Sequence, residues 1–282
     1  MSRDDLYVPD DPSLVKAAKD DQRFFSVTTL IGVLDKPALQ YWAAEEAAKE
    51  AIRIRHSLDM RIQDDGEEAV IKHLRDARLR RPKGERTAAE LGSAVHAALE
   101  HFALHGTFPD ADEEVRPFLE QYERWASHHT IEHIASEMPV FSPTYGYAGT
   151  MDGIMRFHGQ AVVFDYKTSR KSFDSRGKDS MPYPEVALQL SAYRYADFAL
   201  PVPARRTEVF RRRYYLLSES EKARSVAVPE VVGALAIHIT PEHCRAYPIK
   251  ADKEVFERFL YIVEAARWPL DMSKWVIGDP ID

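Results

Sequence analysis

The run QAVVFDYKTS, residues 160–169, constrains the fold of this chain more than any other segment. Val162, Val163 and Phe164 make an apolar stretch of the length and β-branched character of a buried strand. The same strand then presents Asp165 and Lys167, two residues apart and so on one face. A buried strand that ends in an acid and a lysine places charge beside a core. From spacing alone a salt bridge at a strand end and a hard-cation site account for it equally well.

The elements around this run predict a mixed sheet with helices, an α/β (α+β) fold. Two further strands precede it, IEHIASEMPVF and YGYAGTMDGIMRF, and HGQ turns the second into 160–169 as a hairpin. Upstream the chain reads as helical. Pro37 suits a first turn and opens a stripe running from Leu39, Tyr41 and Trp42 to about Ile54. A second helix covers about 66–79. The capping-box pattern of Thr87 and Glu90 opens a third, which stops near Gly106, and a fourth spans 118–128. Downstream, 184–200 reads as a helix, strands follow near 210–217, 235–240 and 245–249, and an amphipathic helix covers 253–268. Residues 1–22, polar and carrying Pro9 and Pro12, read as a disordered arm. Residues 23–130 form a helical part and 131–282 a sheet-bearing core, the two integrated as one domain. Residues 201–282 are expected to complete the sheet.

Composition narrows the chemistry. The chain has 282 residues, a net charge of −7 and 45% hydrophobic residues, which suffices for a real core. No stretch approaches a membrane span. One cysteine, Cys244, excludes an intramolecular disulfide and a Cys-ligated iron–sulfur cluster, and the expected compartment is the cytoplasm. The acidic total argues against a nucleic-acid coat protein, but not against an enzyme with local basic patches. Three such patches occur: Lys72, Arg75, Arg78, Arg80, Arg81, Lys83 and Arg86; Arg170, Lys171, Arg176 and Lys178; and Arg205, Arg206, Arg211, Arg212 and Arg213. Tyr145 and Tyr147 are candidates for stacking on bases, whereas Trp42 is expected to pack in the core.

Other pairs carry chemistry only in combination. His96 and Glu100 share a helical face, as do Gln189 and Tyr193. Each pair alone reads as a helix surface or a core contact. The chain also holds Gly92-x3-His96, Gly149-Thr150-x-Asp152, Asp165-Tyr166-Lys167-Thr168 and Gln189-x3-Tyr193, in that order.

In that order the motifs resemble the PD-(D/E)xK nuclease superfamily, and within it the RecB-like exonuclease branch. The opening SVTTLIGVLDKPALQYWAAE is similar to phage-encoded members, and the resemblance covers about 26–199. It implies a restriction-endonuclease-like core and a metal-dependent DNA exonuclease acting on single-stranded or frayed ends in phage or cellular recombination, repair or replication. It implies Mg²⁺ or Mn²⁺ ligated by His96, Asp152, Asp165 and the Tyr166 carbonyl. Asp152, Asp165 and Lys167 would be catalytic. Gln189, Tyr193, Thr168, Arg170 and Lys171 would contact DNA, with Glu137 and then Glu100 as second-tier site residues. A helicase or recombination protein is an expected partner. The chain lacks the four cysteines of the iron–sulfur members and has no Gly-Lys-Ser/Thr phosphate loop. The alternatives are a structure-specific or restriction-type endonuclease and an inactive DNA-binding subunit of the same fold.

Overall fold

The computed structural model describes residues 6–7, 24–79, 85–173, 177–200, 225–270, 272–274, 276–278 and 280. The expected strand at 210–217 and the third basic patch lie outside these residues, as do Arg80, Arg81, Lys83 and Arg176. The elements, in chain order, begin with β1 (Leu6–Tyr7), β2 (Phe24–Ser26), α1 (Val27–Ile31), α2 (Pro37–Ile54), α3 (Leu58–Asp65), α4 (Glu67–Arg75), α5 (Ala88–His105) and α6 (Arg116–Ser127). Then come β3 (Ile131–Ser142), β4 (Tyr147–Phe157), β5 (Gln160–Thr168), α7 (Val186–Arg194), β6 (Phe198–Ala199), β7 (Gly233–Ile239), β8 (Cys244–Ile249) and α8 (Lys253–Leu270).

The mixed α/β class expected from the sequence is observed. The sheet has eight strands among the described residues, and β4 is its branch point. β3 runs antiparallel along one whole edge of β4. The other edge is shared. β5 pairs with it antiparallel over Gly153–Phe157, and β2 pairs parallel at Tyr147 and Ala148. Among the described residues, the segment Gly149–Asp152 between them has no strand partner on that edge. Beyond Phe164, among the described residues, β5 is paired only with β7, in parallel, and β7 with β8. The two central strands therefore diverge as a fork whose arms carry Asp152 and Asp165. β7 and β8 complete the sheet, as expected of the C-terminal part.

The hairpin between β4 and β5 turns at His158 and Gly159, both at positive φ, as a tight two-residue connection requires. One face of the sheet carries Phe164, Tyr166, Leu235, Ile237 and Ile239 and buries them against Leu91, Val95 and Leu99 of α5 and Phe118, Leu119 and Tyr122 of α6. Alternation then puts Asp165 and Lys167 on the other face, where α7 contacts both β4 and β5.

Leu34–Thr87 forms a compact unit of its own, and the rest of the chain forms the other. This boundary differs from the division at residue 130: α5 and α6 belong with the sheet because their apolar faces are buried on it. Within the small unit, Glu50 of α2 is buried and accepts from Arg53 Nε and Nη2 at 2.7 and 2.8 Å. Its Oε1 also lies 2.7 Å from His73 Nε2, which ties α2 to α4. Tyr41 and Trp42 are exposed, not buried. The inward side of α2 is lined instead by Ala43, Ala47, Glu50 and Ile54. Part of the expected disordered arm, Leu6–Tyr7, is paired antiparallel with β2; the rest of 1–22 lies outside the described residues.

Gly153 pairs with Ser136, next to the register shift of β3 between His133 and Ala135. A Cβ there would sit 2.3 Å from the Ala135 carbonyl oxygen and 2.8 Å from the Phe164 ring. Gly153→Ala is expected to cost about 1–3 kcal/mol through overpacking. The midpoint of urea unfolding measures it, and an unchanged midpoint would mean that the strand yields.

Candidate metal centre at the strand fork

The fork gathers the sequence motifs. Asp152 lies on β4 one residue past the last pair with β5, and its Oδ2 accepts the Tyr166 N–H at 2.6 Å. A side chain thus takes over from the backbone ladder where the strands part. A strand residue's C=O leaves the same edge as its N–H, so the Tyr166 carbonyl faces the fork as well.

Asp165 is 1% exposed. Its Oδ1 accepts from Gln189 Nε2 at 2.7 Å, and its Oδ2 lies 2.5 Å from Lys167 Nζ without accepting an aligned hydrogen bond. Lys167 Nζ donates to Gln189 Oε1 at 3.0 Å, and Gln189 Nε2 also donates to the Tyr193 hydroxyl at 3.1 Å. The Gln-x3-Tyr motif of α7 therefore orients the Asp165–Lys167 pair. Burial pushes the Asp165 carboxyl up to about 6; Asp152 pushes the same way, and Lys167 and His96 oppose it.

α5 brings in His96, whose Nδ1 is 3.5 Å from Asp152 Oδ2. Burial pulls this imidazole down, but the charge and hydrogen bonding of Asp152, helped by Asp165, raise it above the usual histidine value. Glu137 stands opposite Asp152 on β3, between the pairs Ser136–Gly153 and Met138–Met151. Its φ of 48° is left-handed backbone inside a strand. Donor atoms of His96, Glu137 and Asp152 lie within 4.8 Å of one another. These three line a cleft of about 280 Å³ together with Gln189, Tyr193 and Thr150.

The small residues of the motifs have steric reasons. A Cβ at Gly149 would be 2.6 Å from Tyr193 Cε1, so glycine lets α7 close on β4. A Cβ at Gly92 would be 3.2 Å from Thr168 Oγ1, where α5 passes the end of β5.

The structure thus brings His96, Glu137, Asp152, Asp165, Tyr166, Lys167, Gln189 and Tyr193 together. Glu137, ranked second-tier from the sequence, is in the closest donor group, whereas Asp165 is engaged by Lys167 and Gln189. Glu100 does not line the cleft. Arg170 is ion-paired with Glu114, and Lys171 is exposed in the loop after β5. Tyr147 is not available for stacking: it is fully buried, donates to the Ala192 carbonyl at 2.8 Å and packs on Phe259. Tyr145 packs edge-on against Phe256. Ser26 and Thr28 also line the cleft and were not singled out from the sequence. Their signal was the Ser26-x-x-Thr29 cap, in which Ser26 Oγ accepts the Thr29 N–H at 3.0 Å.

The donor set fits a hard divalent cation. Two carboxylates and an imidazole converge, and among the described residues Thr150 Oγ1 is buried without a hydrogen-bond partner while Asp165 Oδ2 has only the unaligned Lys167 ammonium. Among the described residues no helix is long and apolar enough to cross a membrane.

No protein-family model matches the chain, and no curated protein matches it. Among solved structures, the crystal structure of SSO0001 is similar over 75% of this chain and 70% of that one, at 13% identity and a TM-score of 0.31. A likeness at that level carries no argument.

The balance around His96 is directly measurable. Asp152→Asn removes the largest group that raises this imidazole and leaves burial to dominate. Followed by NMR, the His96 midpoint is expected above the ordinary histidine value in the wild-type protein and below it in the variant. An unmoved midpoint would mean that Asp152 does not set its charge.

Proposed function

We propose that this chain is a metal-dependent deoxyribonuclease of the PD-(D/E)xK type that hydrolyses phosphodiester bonds at DNA ends. One observation carries the reading: Asp152, Asp165 and Lys167 meet at the fork of β4 and β5, with His96 and Glu137 beside Asp152. A salt bridge alone explains Asp165 and Lys167, and the Tyr166 N–H explains the place of Asp152, but neither accounts for His96 and Glu137 converging on the same carboxylate. The end-directed character and the preference for single-stranded or frayed ends rest on the sequence resemblance to the RecB-like branch, which carries the Gln189-x3-Tyr193 motif. So do the roles in recombination, repair or replication and the partner helicase or recombination protein.

In this reading His96, Glu137, Asp152, Asp165 and the Tyr166 carbonyl hold Mg²⁺ or Mn²⁺. Such an ion neutralises phosphate oxygens and lowers the pKa of a bound water. The protein's own contribution is positional and electrostatic. Asp152 is fixed by the Tyr166 N–H, and Gln189 holds Asp165 and Lys167 in one geometry. The Lys167 ammonium supplies positive charge where the transition state gathers negative charge. Arg170 and Lys171 follow directly along the chain and would contact phosphates of the substrate strand.

End-labelled linear and circular DNA, incubated with Mg²⁺ or Mn²⁺ and with EDTA, test this reading. Linear substrate is expected to be degraded only with metal, and Lys167→Ala to slow it by roughly 10²–10⁴-fold. Cutting of circles would favour the endonuclease alternative. Binding without cleavage would favour the inactive subunit.

Metal affinity is expected to depend on pH with a definite sign. The Asp165 carboxyl, raised to about 6, is protonated below that value, and the raised His96 gains its proton on the same side. Both changes weaken cation binding as pH falls. Calorimetric titration of Mn²⁺ on either side of pH about 6 should give the tighter constant at the higher pH. Equal constants would mean that neither group both titrates in this range and ligates the cation.

A further inference from the structure

The outward face of α2 carries an apolar stripe with no partner among the described residues. Tyr41, Ala44, Ala48 and Ile52 are spaced three, four and four residues apart, so they fall within one strip of the helix. All four are exposed, Tyr41 to 77% and Ile52 to 63%. They oppose the inward side, where Glu50 and Ile54 are buried. The stripe is not needed for the fold of the small unit, which α2 joins through Glu50 and His73.

The stripe is also palindromic. Its large residues stand at the two ends and its alanines in the middle. One flank carries Glu45 and Lys49, paired at 2.8 Å along the helix, with side chains 63% and 59% exposed. A two-fold axis near Glu46 and Ala47 would set Tyr41 against the partner's Ile52 and Ala44 against the partner's Ala48. It would also set Glu45 against the partner's Lys49, and Lys49 against the partner's Glu45. In an antiparallel helix pair like flank meets like flank, so those charges attract twice. Alanines at the crossing allow close approach of the two backbones. A face complementary to itself is what an isologous dimer requires.

We propose that α2 is a self-association surface, on which a second copy of this chain packs antiparallel through Tyr41, Ala44, Ala48 and Ile52. One helix crossing buries less than the ~1,200 Å² of a standard interface, so the dimer is weak and concentration-dependent. The inference is independent of the nuclease reading, because no residue of the fork takes part.

Sedimentation equilibrium of the full chain over a range of concentrations is the test. The wild-type protein is expected to show a reversible monomer–dimer equilibrium. Ala48→Glu puts a charge at the centre of the crossing while keeping a good helix former at an exposed position. It should weaken the dimer by at least about tenfold, with circular dichroism unchanged. Glu45→Lys and Lys49→Glu should each weaken it by opposing like charges, and the double variant should restore it. A wild-type monomer at every concentration overturns the proposal, as does a dimer indifferent to Ala48→Glu. A monomer that binds single-stranded DNA, and loses it on Tyr41→Ala, overturns it in favour of base stacking on α2.

Discussion

The hydrogen bond from the Tyr166 N–H to the Asp152 carboxylate is the contact on which the centre of this structure depends. Adjacent strands normally satisfy each other's backbone groups, and a buried N–H left alone is costly. β4 and β5 stop pairing after Gly153 and Phe164, so the next donor on β5 needs another acceptor. A side chain provides it and holds the strands apart by its own length. The opened edge of β4, Gly149–Asp152, then borders the cleft, and α1, α5 and α7 supply the surrounding walls. Site and fold are thus not separable here: the acid that lines the cleft is also the wedge that makes it.

The second constraint is electrostatic. An aspartate as buried as Asp165 is stable in charged form only with compensation. Lys167 and Gln189 provide part of it, and one carboxylate oxygen is still without an aligned donor. Asp152 and Lys167 therefore act in opposite senses on the charge of Asp165, and both aspartates act on His96. On the proposed reading, this grouping of carboxylates suits a divalent cation better than a neutral ligand.

Much of this was legible in the sequence, and what was not has identifiable causes. The three long strands showed in their apolar runs, and Asp165 and Lys167 fell on one face because strand periodicity is rigid. The convergence of His96, Asp152 and Gln189 was expected only through the resemblance that the ordered motifs carry, since no single motif implies it. The fork itself left no local mark, because it is a side chain-to-backbone contact between residues fourteen apart. β1, β2 and β6, two or three residues each, are too short to show alternation. Trp42 and Tyr147 were misplaced in opposite directions. The inward side of α2 is Ala43, Ala47 and Glu50 until Ile54 at its end, so Tyr41 and Trp42 pointed to the wrong face. Tyr147 satisfies its hydroxyl on the Ala192 carbonyl and could sink fully into the core.

Glu137 carries a consequence for how such a sequence drifts. Its left-handed backbone inside β3 is a conformation that glycine or asparagine would accept with less strain. Mutation toward either therefore relaxes the strand while removing a carboxylate from the cleft. Selection for thermal endurance alone weighs that strain against the contacts the side chain makes, whereas on the proposed reading selection for what the cleft does keeps the carboxylate regardless of the strain. The backbone angle at residue 137 thus separates two selective histories that the rest of the strand would record in the same way.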